Sequence, residues 1–147
     1  MPDTIFDPAA EGWHTSTDAE FIGLVGPIWR KLEGDRLLFG LLAEERHGNR
    51  NGAVHGGMLM TLMDHAIAMN SWETTGRRRQ ATIQLDVQFV SAVMKGDFLI
   101  VRSEVVRATR SVNFMRGTAT IGDRIAVTAN GIWKMLEQPG PSAGPGA

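Results

Sequence analysis

Cysteine is absent from the 147 residues of the chain. Its absence excludes disulfide bonds, thiolate metal ligands and a cysteine nucleophile, and it permits a reducing compartment. Long apolar runs are absent as well. No window approaches the roughly 18 apolar residues of a membrane span, and the N-terminus lacks the basic start and apolar core of a signal peptide. We therefore expect a cytoplasmic protein with no membrane partner.

An excess of one charge sign is also lacking. The 15 basic and 16 acidic side chains give a formal net charge of -1, so the basic balance typical of nucleic-acid binders is missing. Hydrophobic residues make up 43% of the chain and charged residues 21%, which is the profile of a globular protein. The length fits one domain, which we expect at residues 16–137. Both ends are rich in Pro, Gly and Ala, so residues 1–15 are expected to be flexible and residues 138–147 disordered.

A long apolar segment occupies the middle of the sequence. From Met58 to about Trp72, good helix formers follow one another without a turn signal, which predicts a helix of about four turns. Apolar residues cover nearly all of its faces, so we expect the helix to be buried all round. Before it, the sequence predicts a short helix that ends at Gly26 and two strands that turn at Gly34.

The segment after the long helix has the period of a strand. One predicted face carries apolar residues and the other carries polar ones, respectively Ala81, Ile83, Leu85, Val87, Phe89 and Thr82, Gln84, Asp86, Gln88. Three more strand-like segments follow, "DFLIVRSEVVRAT", "SVNFMRGTATIG" and "RIAVTANGIWKML". Together they predict an antiparallel meander of four strands. The order of two strands, one buried helix and four strands predicts an α+β fold.

Asp64 stands in the middle of the apolar helix. An isolated ionised carboxylate in such a place costs several kcal/mol unless it is paired, hydrogen-bonded or hydrated. One interpretation is structural: Asp64 caps a loop or pairs with an arginine. The other is chemical: Asp64 acts as a general base or positions a water molecule. The residue alone does not decide between them.

Two glycines, Gly56 and Gly57, precede the apolar helix. The free backbone N–H groups at a helix N-terminus face the preceding loop, and glycine lets a ligand approach them closely. Such an arrangement can hold a carbonyl oxygen that becomes an oxyanion. A glycine pair can also simply begin a tightly packed helix.

The combined pattern is more specific than its parts. The stretch "NRNGAVHGGMLMTLMDHA" resembles the N-x-x-G-x-x-H-G-G motif, followed eight residues later by Asp, of the PaaI-like hotdog-fold acyl-CoA thioesterases. The resemblance runs from about "VGPIW" to "NGIWKML". It implies a hotdog fold, in which an antiparallel sheet wraps one long helix. It also implies thioester hydrolysis without a cofactor, since coenzyme A is part of the substrate.

The resemblance assigns roles to five residues. Asp64 activates or orients the attacking water, the Gly56 backbone N–H binds the thioester carbonyl oxygen, and Asn49 supports the same end of the substrate. His55 holds the loop in shape and is a candidate contact for the thioester. Thr82, on the polar face of the predicted strand, assists the water.

The chain departs from commoner family members on the helix. His65, Asn70 and Ser71 add polarity there and leave the character of the acyl pocket open.

The distance between Gly56 and Asp64 has a consequence of its own. Eight residues span about 12 Å along a helix axis, too far for two groups to act on one carbonyl carbon. If both act on one thioester, they must come from two subunits whose helices run antiparallel across a two-fold axis. The resemblance likewise implies homodimers, often paired into homotetramers.

Basic side chains are candidates for binding the phosphates of coenzyme A. They are found in two clusters, Arg77, Arg78, Arg79 and Arg107, Arg110. Solvated loops are the alternative explanation for both.

Other chemistries fit the sequence less well. A metal site is disfavoured, because neither Asp64 nor His65 has a partner at helical i+3 or i+4 spacing. A Ser-His-Asp site lacks a serine on a Gly-flanked turn. A non-catalytic hotdog protein that binds acyl-CoA or an aromatic ligand remains open, although pure binding gains nothing from a buried carboxylate. Hotdog dehydratases arrange their histidine and acid differently.

Overall fold

The structure is a computed structural model, and it describes residues 5–137. Its ordered elements are two α-helices, a short 3-10 helix at Glu45–His47 and seven strands. In chain order the elements other than the 3-10 helix are β1 (His14–Thr15), α1 (Glu20–Val25), β2 (Trp29–Glu33), β3 (Arg36–Leu42), α2 (Gly56–Thr74), β4 (Gln80–Phe89), β5 (Phe98–Ala108), β6 (Val112–Ile121) and β7 (Arg124–Met135). The predicted α+β hotdog fold is confirmed: one long helix packs on one antiparallel sheet.

The strands form a single sheet in the order β1-β2-β3-β5-β6-β7-β4. The predicted four-stranded meander is wrong, because only β5, β6 and β7 follow one another in space. β4 pairs with β7 at one edge of the sheet, and β5 pairs with β3. The connection between β4 and β5 passes under the start of α2, where the Val54 N–H donates to the Val93 carbonyl. Alternation identifies a strand, but it does not select the neighbouring strand.

Helix α2 lies on the concave face of the sheet and supplies the centre of the core. Leu62, Met63, Ala66 and Ile67 are fully buried there. The expectation that the helix is buried all round is wrong for the single chain, because Met60 is 40% exposed and Asp64 is only half-buried. One face of the helix therefore remains open beside the edge strand β4.

A bulge in β4 changes which residues face the helix. The pairing with β7 steps from Thr82↔Trp133 to Gln84↔Ile132, so one extra residue, Ile83, is accommodated. Directly opposed residues point to the same face of a sheet, and Trp133 is buried on the helix side. Thr82 therefore faces α2, while Ile83 is 55% exposed. The predicted polar face that joined Thr82 to Gln84 is wrong at this point.

The N-terminal segment packs against the sheet. Trp13 is 5% exposed and lies 5.0 Å from the ring of Phe98 in an edge-on arrangement. His14 and Thr15 pair with β2. The apolar Trp13 thus gains a partner that the local composition does not reveal. The expected flexibility of residues 1–15 stays a prediction. The expected tail at residues 138–147 lies outside the described residues. Within residues 5–137, no helix has both the length and the hydropathy to cross a bilayer.

Candidate active site

His55 caps the N-terminus of α2. Its Nδ1 accepts a hydrogen bond of 2.8 Å from the Gly57 N–H, and its own backbone N–H donates to the His47 carbonyl. An accepting Nδ1 places the ring proton of a neutral His55 on Nε2, which faces away from the helix. The ring is exposed in the single chain. His55 therefore ties the start of α2 to the loop at His47, and its role in holding the loop for the substrate stays a prediction.

Asn49 stabilises the loop before the helix. Its Oδ1 accepts from the backbone N–H groups of Asn51 at 2.8 Å and Ala53 at 3.3 Å, and its own N–H donates to the Ala53 carbonyl. These bonds fix the turn through Gly52, whose φ of 83° suits glycine. The side-chain oxygen is thus committed within the loop. The exposed amide group of Asn49 remains as a donor at this end of the helix.

Gly56 is the first residue of α2, and its N–H has no hydrogen-bond partner within residues 5–137. A Cβ added at Gly56 would lie 3.3 Å from Cζ of Phe89. An alanine at this position would therefore require the exposed Phe89 ring to move by a few tenths of an ångström. The arrangement leaves one helix N-terminal N–H open, next to the exposed ring of Phe89.

Asp64 contacts Thr82 and so links α2 to the edge strand β4. The Thr82 hydroxyl donates to Asp64 Oδ1 at 2.7 Å. The second oxygen, Oδ2, accepts no hydrogen bond from the described residues, so it is open to a water molecule. The structural interpretation of Asp64, as a partner of an arginine, finds no such arginine among residues 5–137.

The predicted site residues form two clusters in one chain. Asn49, His55 and Gly56 lie together at the N-terminus of α2, while Asp64 and Thr82 lie together farther along it. Because α2 is unbroken from Gly56 to Thr74, the two clusters are separated by about 12 Å of helix. A single chain therefore does not bring the carboxylate and the free N–H to one carbonyl carbon.

A cavity of about 250 Å³ adjoins Thr82. Its walls come from α2, β4 and β7, and they are Ala68, Met69, Trp72, Gln80, Thr82 and Trp133. The helical residues among them begin four positions after Asp64, one turn along the helix. The cavity thus meets the Asp64–Thr82 contact only at Thr82, and it is lined mainly by apolar side chains.

A larger cavity, about 920 Å³, lies away from these residues. It opens where β3 and β5 separate, since they pair only from Phe39↔Val101 to Leu42↔Phe98. Neither Asp64 nor any other predicted catalytic residue lines it. Size alone therefore does not identify the site.

Two of the five candidate arginines come together. Arg78 donates to the Arg110 carbonyl at 3.2 Å, and both line a cavity of about 540 Å³ with Lys134. Arg77 is held elsewhere, by Glu73 at 3.4 Å and by the face of Trp72.

The other two candidate arginines have no role in that cavity. Arg79 and Arg107 do not line it, and Arg107 is exposed opposite Phe114. Lys134 lines the cavity but was not predicted from the sequence. A single lysine in a strand has no spacing to other residues that would mark a binding site.

The histidines near the site have separate environments. Burial lowers the pKa of His65, and the charges of Asp18 and Asp64 oppose that shift. The ring of His65 meets Phe39 edge-on. His47 is buried and bonded through Nδ1 to the Glu44 N–H and through Nε2 to the Val25 carbonyl. Its ring therefore joins the loop to the end of α1.

Comparisons with known proteins agree with this architecture. Residues 51–128 match the family described as the Thioesterase superfamily. A Pseudomonas aeruginosa protein named as an esterase is 26% identical over 116 residues, covering 78% of this chain and 87% of that protein.

Two solved structures share the fold. A Bacillus halodurans protein crystallised with CoA has a TM-score of 0.73 and 20% identity, with 83% of this chain and 82% of that one covered. A mutant of the phenylacetic acid degradation protein PaaI from Thermus thermophilus has a TM-score of 0.71 and 19% identity, with 80% and 100% covered. The chain belongs to the thioesterase superfamily, and its fold is that of the PaaI-related hotdog thioesterases.

Proposed function

We propose that this protein hydrolyses acyl-CoA thioesters to a free acid and coenzyme A, in a site shared by two subunits. The observation that carries the proposal is the hydrogen bond from Thr82 to the Asp64 carboxylate beside a cavity. Asp64 lies on α2, whose first N–H has no hydrogen-bond partner among the described residues. Membership of the thioesterase superfamily supports the hydrolytic part of the proposal.

The reaction follows from the groups present. Asp64 takes a proton from a water molecule that Thr82 helps to position, and the water oxygen attacks the thioester carbonyl carbon. The Gly56 N–H of the other subunit stabilises the oxyanion that forms, aided by the dipole of α2. When the intermediate collapses, the carbon–sulfur bond breaks and the thiolate leaves. The proton held by Asp64 then passes to that thiolate, which restores the carboxylate.

The edge strand supports the two-subunit arrangement. β4 pairs with β7 on one side, and along its ten residues the other side has no strand partner within residues 5–137. Apolar side chains along this edge and on the open face of α2 are exposed, namely Met60, Ile83, Phe89 and Val90. Such an edge is a ready template for pairing with another chain. A second copy related by a two-fold axis would cover it and run its α2 antiparallel to the first.

The carrier is expected to lie along β4. From Thr82 the strand leads back past Gln80 to Arg78, which lines the basic cavity with Arg110 and Lys134. These cations suit the phosphates of coenzyme A as charge-assisted partners. The CoA bound to the Bacillus halodurans relative supports this choice of carrier.

One experiment tests the proposal. The protein is assayed with a panel of acyl-CoA thioesters, from short-chain through aryl to long-chain, and release of the free thiol is followed. Catalysed release of coenzyme A from at least one thioester is the expected result. If acyl-CoA binds with a measurable Kd but no thiol is released from any thioester, the protein is a non-catalytic binder and the proposal is wrong.

A further inference from the structure

His47 connects the end of α1 to the loop before α2. Its ring nitrogen Nδ1 accepts from the Glu44 N–H at 3.0 Å, so the ring proton lies on Nε2, which donates to the Val25 carbonyl at 2.6 Å. Its backbone carbonyl accepts from the His55 N–H at 2.8 Å. His47 is only 4% exposed, so water does not readily replace a partner that the ring loses.

Arg46 makes a second connection to α1. Its guanidinium donates to the Leu24 carbonyl at 2.6 Å and to the Gly26 carbonyl. Carbonyl groups at the end of a helix have no partner within the helix and need donors from outside it. Leu24 and Gly26 receive these donors from Arg46, and Val25 receives one from His47. The end of α1 and the loop therefore hold each other in place.

The bond between His55 and His47 bears directly on the proposed oxyanion donor. The Gly56 N–H belongs to the peptide group that also contains the His55 carbonyl, and a peptide group is planar. This carbonyl accepts from the Met58 N–H at 2.9 Å in the first turn of α2, while the His55 N–H donates to His47. His55 is thus held on both sides, and the direction of the Gly56 N–H depends on both bonds.

We propose that His47 and Arg46 are positioning residues, which hold the loop before α2 on the end of α1 and thereby direct the Gly56 N–H at the thioester oxygen. Both act through His55 rather than on the substrate. Helix α1 carries none of the predicted catalytic residues, and it becomes a support of the site. This inference rests on the proposed thioesterase function, because the Gly56 N–H is the oxyanion donor of that reaction.

Two substitutions separate the bonds of the His47 ring. His47→Asn keeps an acceptor for the Glu44 N–H but is too short to reach the Val25 carbonyl, whereas His47→Gln places an amide N–H near the position of Nε2. His47→Asn should lower kcat for thioester hydrolysis by about tenfold or more with little change in KM, because the oxyanion contact strengthens in the transition state. His47→Gln should keep most of the wild-type kcat, since the bond to α1 remains.

Arg46→Met tests the second connection without replacing a buried ring, because the Arg46 side chain is 46% exposed. It removes the donors to the carbonyls of α1, so kcat should fall several-fold, again with little change in KM. Trp13→Leu is the control for a loss of stability alone. Trp13 packs in a separate cluster with Leu38 and Phe98, so Tm should fall while kcat, measured well below Tm, stays at the wild-type value.

A second readout follows the Gly56 N–H itself and needs no substrate. In NMR spectra of isotope-labelled protein, His47→Asn should shift the amide resonance of Gly56 and speed solvent exchange of the His55 amide proton, whereas His47→Gln should change both much less. If His47→Asn does not fold, the same two amides are followed in Arg46→Met.

Unchanged kcat in His47→Asn and Arg46→Met, together with an unshifted Gly56 resonance, would overturn the inference. Equal losses of kcat in the two His47 variants would also overturn it, because the bond to Val25 would then not be the one that matters. If the wild type hydrolyses no thioester, the proposed function is refuted, and the Gly56 and His55 amides alone decide whether His47 positions this N–H.

Discussion

Thr82 and Asp64 are joined by a hydrogen bond of 2.7 Å that crosses from β4 to α2. The bond depends on the bulge at Ile83, because a regular strand would turn Thr82 away from the helix if Leu85 and Val87 kept their places in the core. The donated bond occupies one carboxylate oxygen and leaves the other open. The open oxygen, Oδ2, is therefore the one through which Asp64 can accept the proton of a water molecule.

Asp64→Asn should leave a folded protein and lower kcat for thioester hydrolysis by about 100-fold or more, the range lost with a general base. Asparagine keeps an oxygen that accepts from Thr82, so the thermal unfolding midpoint should hold or rise. Thiol release measures the change in kcat, and circular dichroism measures the fold and the thermal unfolding midpoint. A variant that unfolds, or that turns over at the wild-type rate, would identify Asp64 as a structural residue.

Thr82→Val removes the hydroxyl while keeping the shape of the side chain. If Thr82 acts through Asp64, kcat should fall by about tenfold, which is less than the loss from Asp64→Asn. The double variant Asp64→Asn with Thr82→Val should be no slower than Asp64→Asn alone, since groups that act as a unit are not additive. Independent, multiplied losses in the double variant would show that Thr82 has a separate role.

Binding of the carrier can be separated from chemistry. Arg78→Ala and Lys134→Ala should each raise KM for acyl-CoA several-fold with little change in kcat, because phosphate contacts are equal in the ground and transition states. The wild-type KM should also rise with salt. Arg77→Ala is the control from the same loop, since Arg77 is engaged with Glu73 and Trp72. If KM depends on Arg77 but not on Arg78 or Lys134, the phosphates bind elsewhere.

The sequence predicted the parts of the site that are local in the chain. The motif around His55 and Gly56 and the unbroken run of helix-forming residues in α2 depend on neighbouring residues, so the existence of this helix and its start could be inferred from their order. The choice of β7 as the partner of β4 depends on contacts between residues that are 38 (Phe89↔Val127) to 55 (Gln80↔Met135) positions apart. No local pattern encodes it.

The bulge at Ile83 and the facing pair Asn113 and Trp133 belong to the same non-local class. A perfect apolar alternation concealed the bulge, since Ile83 fits the pattern and yet is exposed. The two facing residues are 20 positions apart and meet only through the register of β6 and β7. A polar residue in a strand gives no sign of which partner it will face.

His65 should make stability depend on pH. Burial lowers its pKa in the folded state, while the unfolded imidazole titrates near pH 6.5. Above about pH 7.5 both states are neutral. As the pH falls below about 6.5, the unfolded state binds a proton that the folded state does not, so stability decreases until the folded pKa is passed. His65→Gln should therefore lose less in Tm between about pH 7.5 and 5.5 than the wild type does. Equal decreases in Tm for the wild type and the variant would show that burial of His65 does not contribute to the pH dependence of stability.

Mixed dimers test whether the site is shared between subunits. One variant is Asp64→Asn, and the other is Gly56→Pro, which removes the N–H and places proline at the first helical position, where it is tolerated. Gly56→Ala is the matched control, because it also meets the Phe89 ring but keeps the N–H. Asp64→Asn and Gly56→Pro should each be nearly inactive alone, while Gly56→Ala should keep measurable activity.

The two inactive variants are then unfolded and refolded together in equal amounts, after size-exclusion chromatography has shown each to be a folded dimer. Random pairing makes about half of the dimers mixed, and one of the two sites in each mixed dimer combines an intact Asp64 with an intact Gly56. Activity should then recover to about a quarter of wild type, half of the dimers times half of their sites. If verified mixed dimers stay as inactive as their parents, Asp64 and Gly56 do not act across a subunit boundary. Given the roughly 12 Å of helix between them, the Gly56 N–H could then not be the group that stabilises the oxyanion.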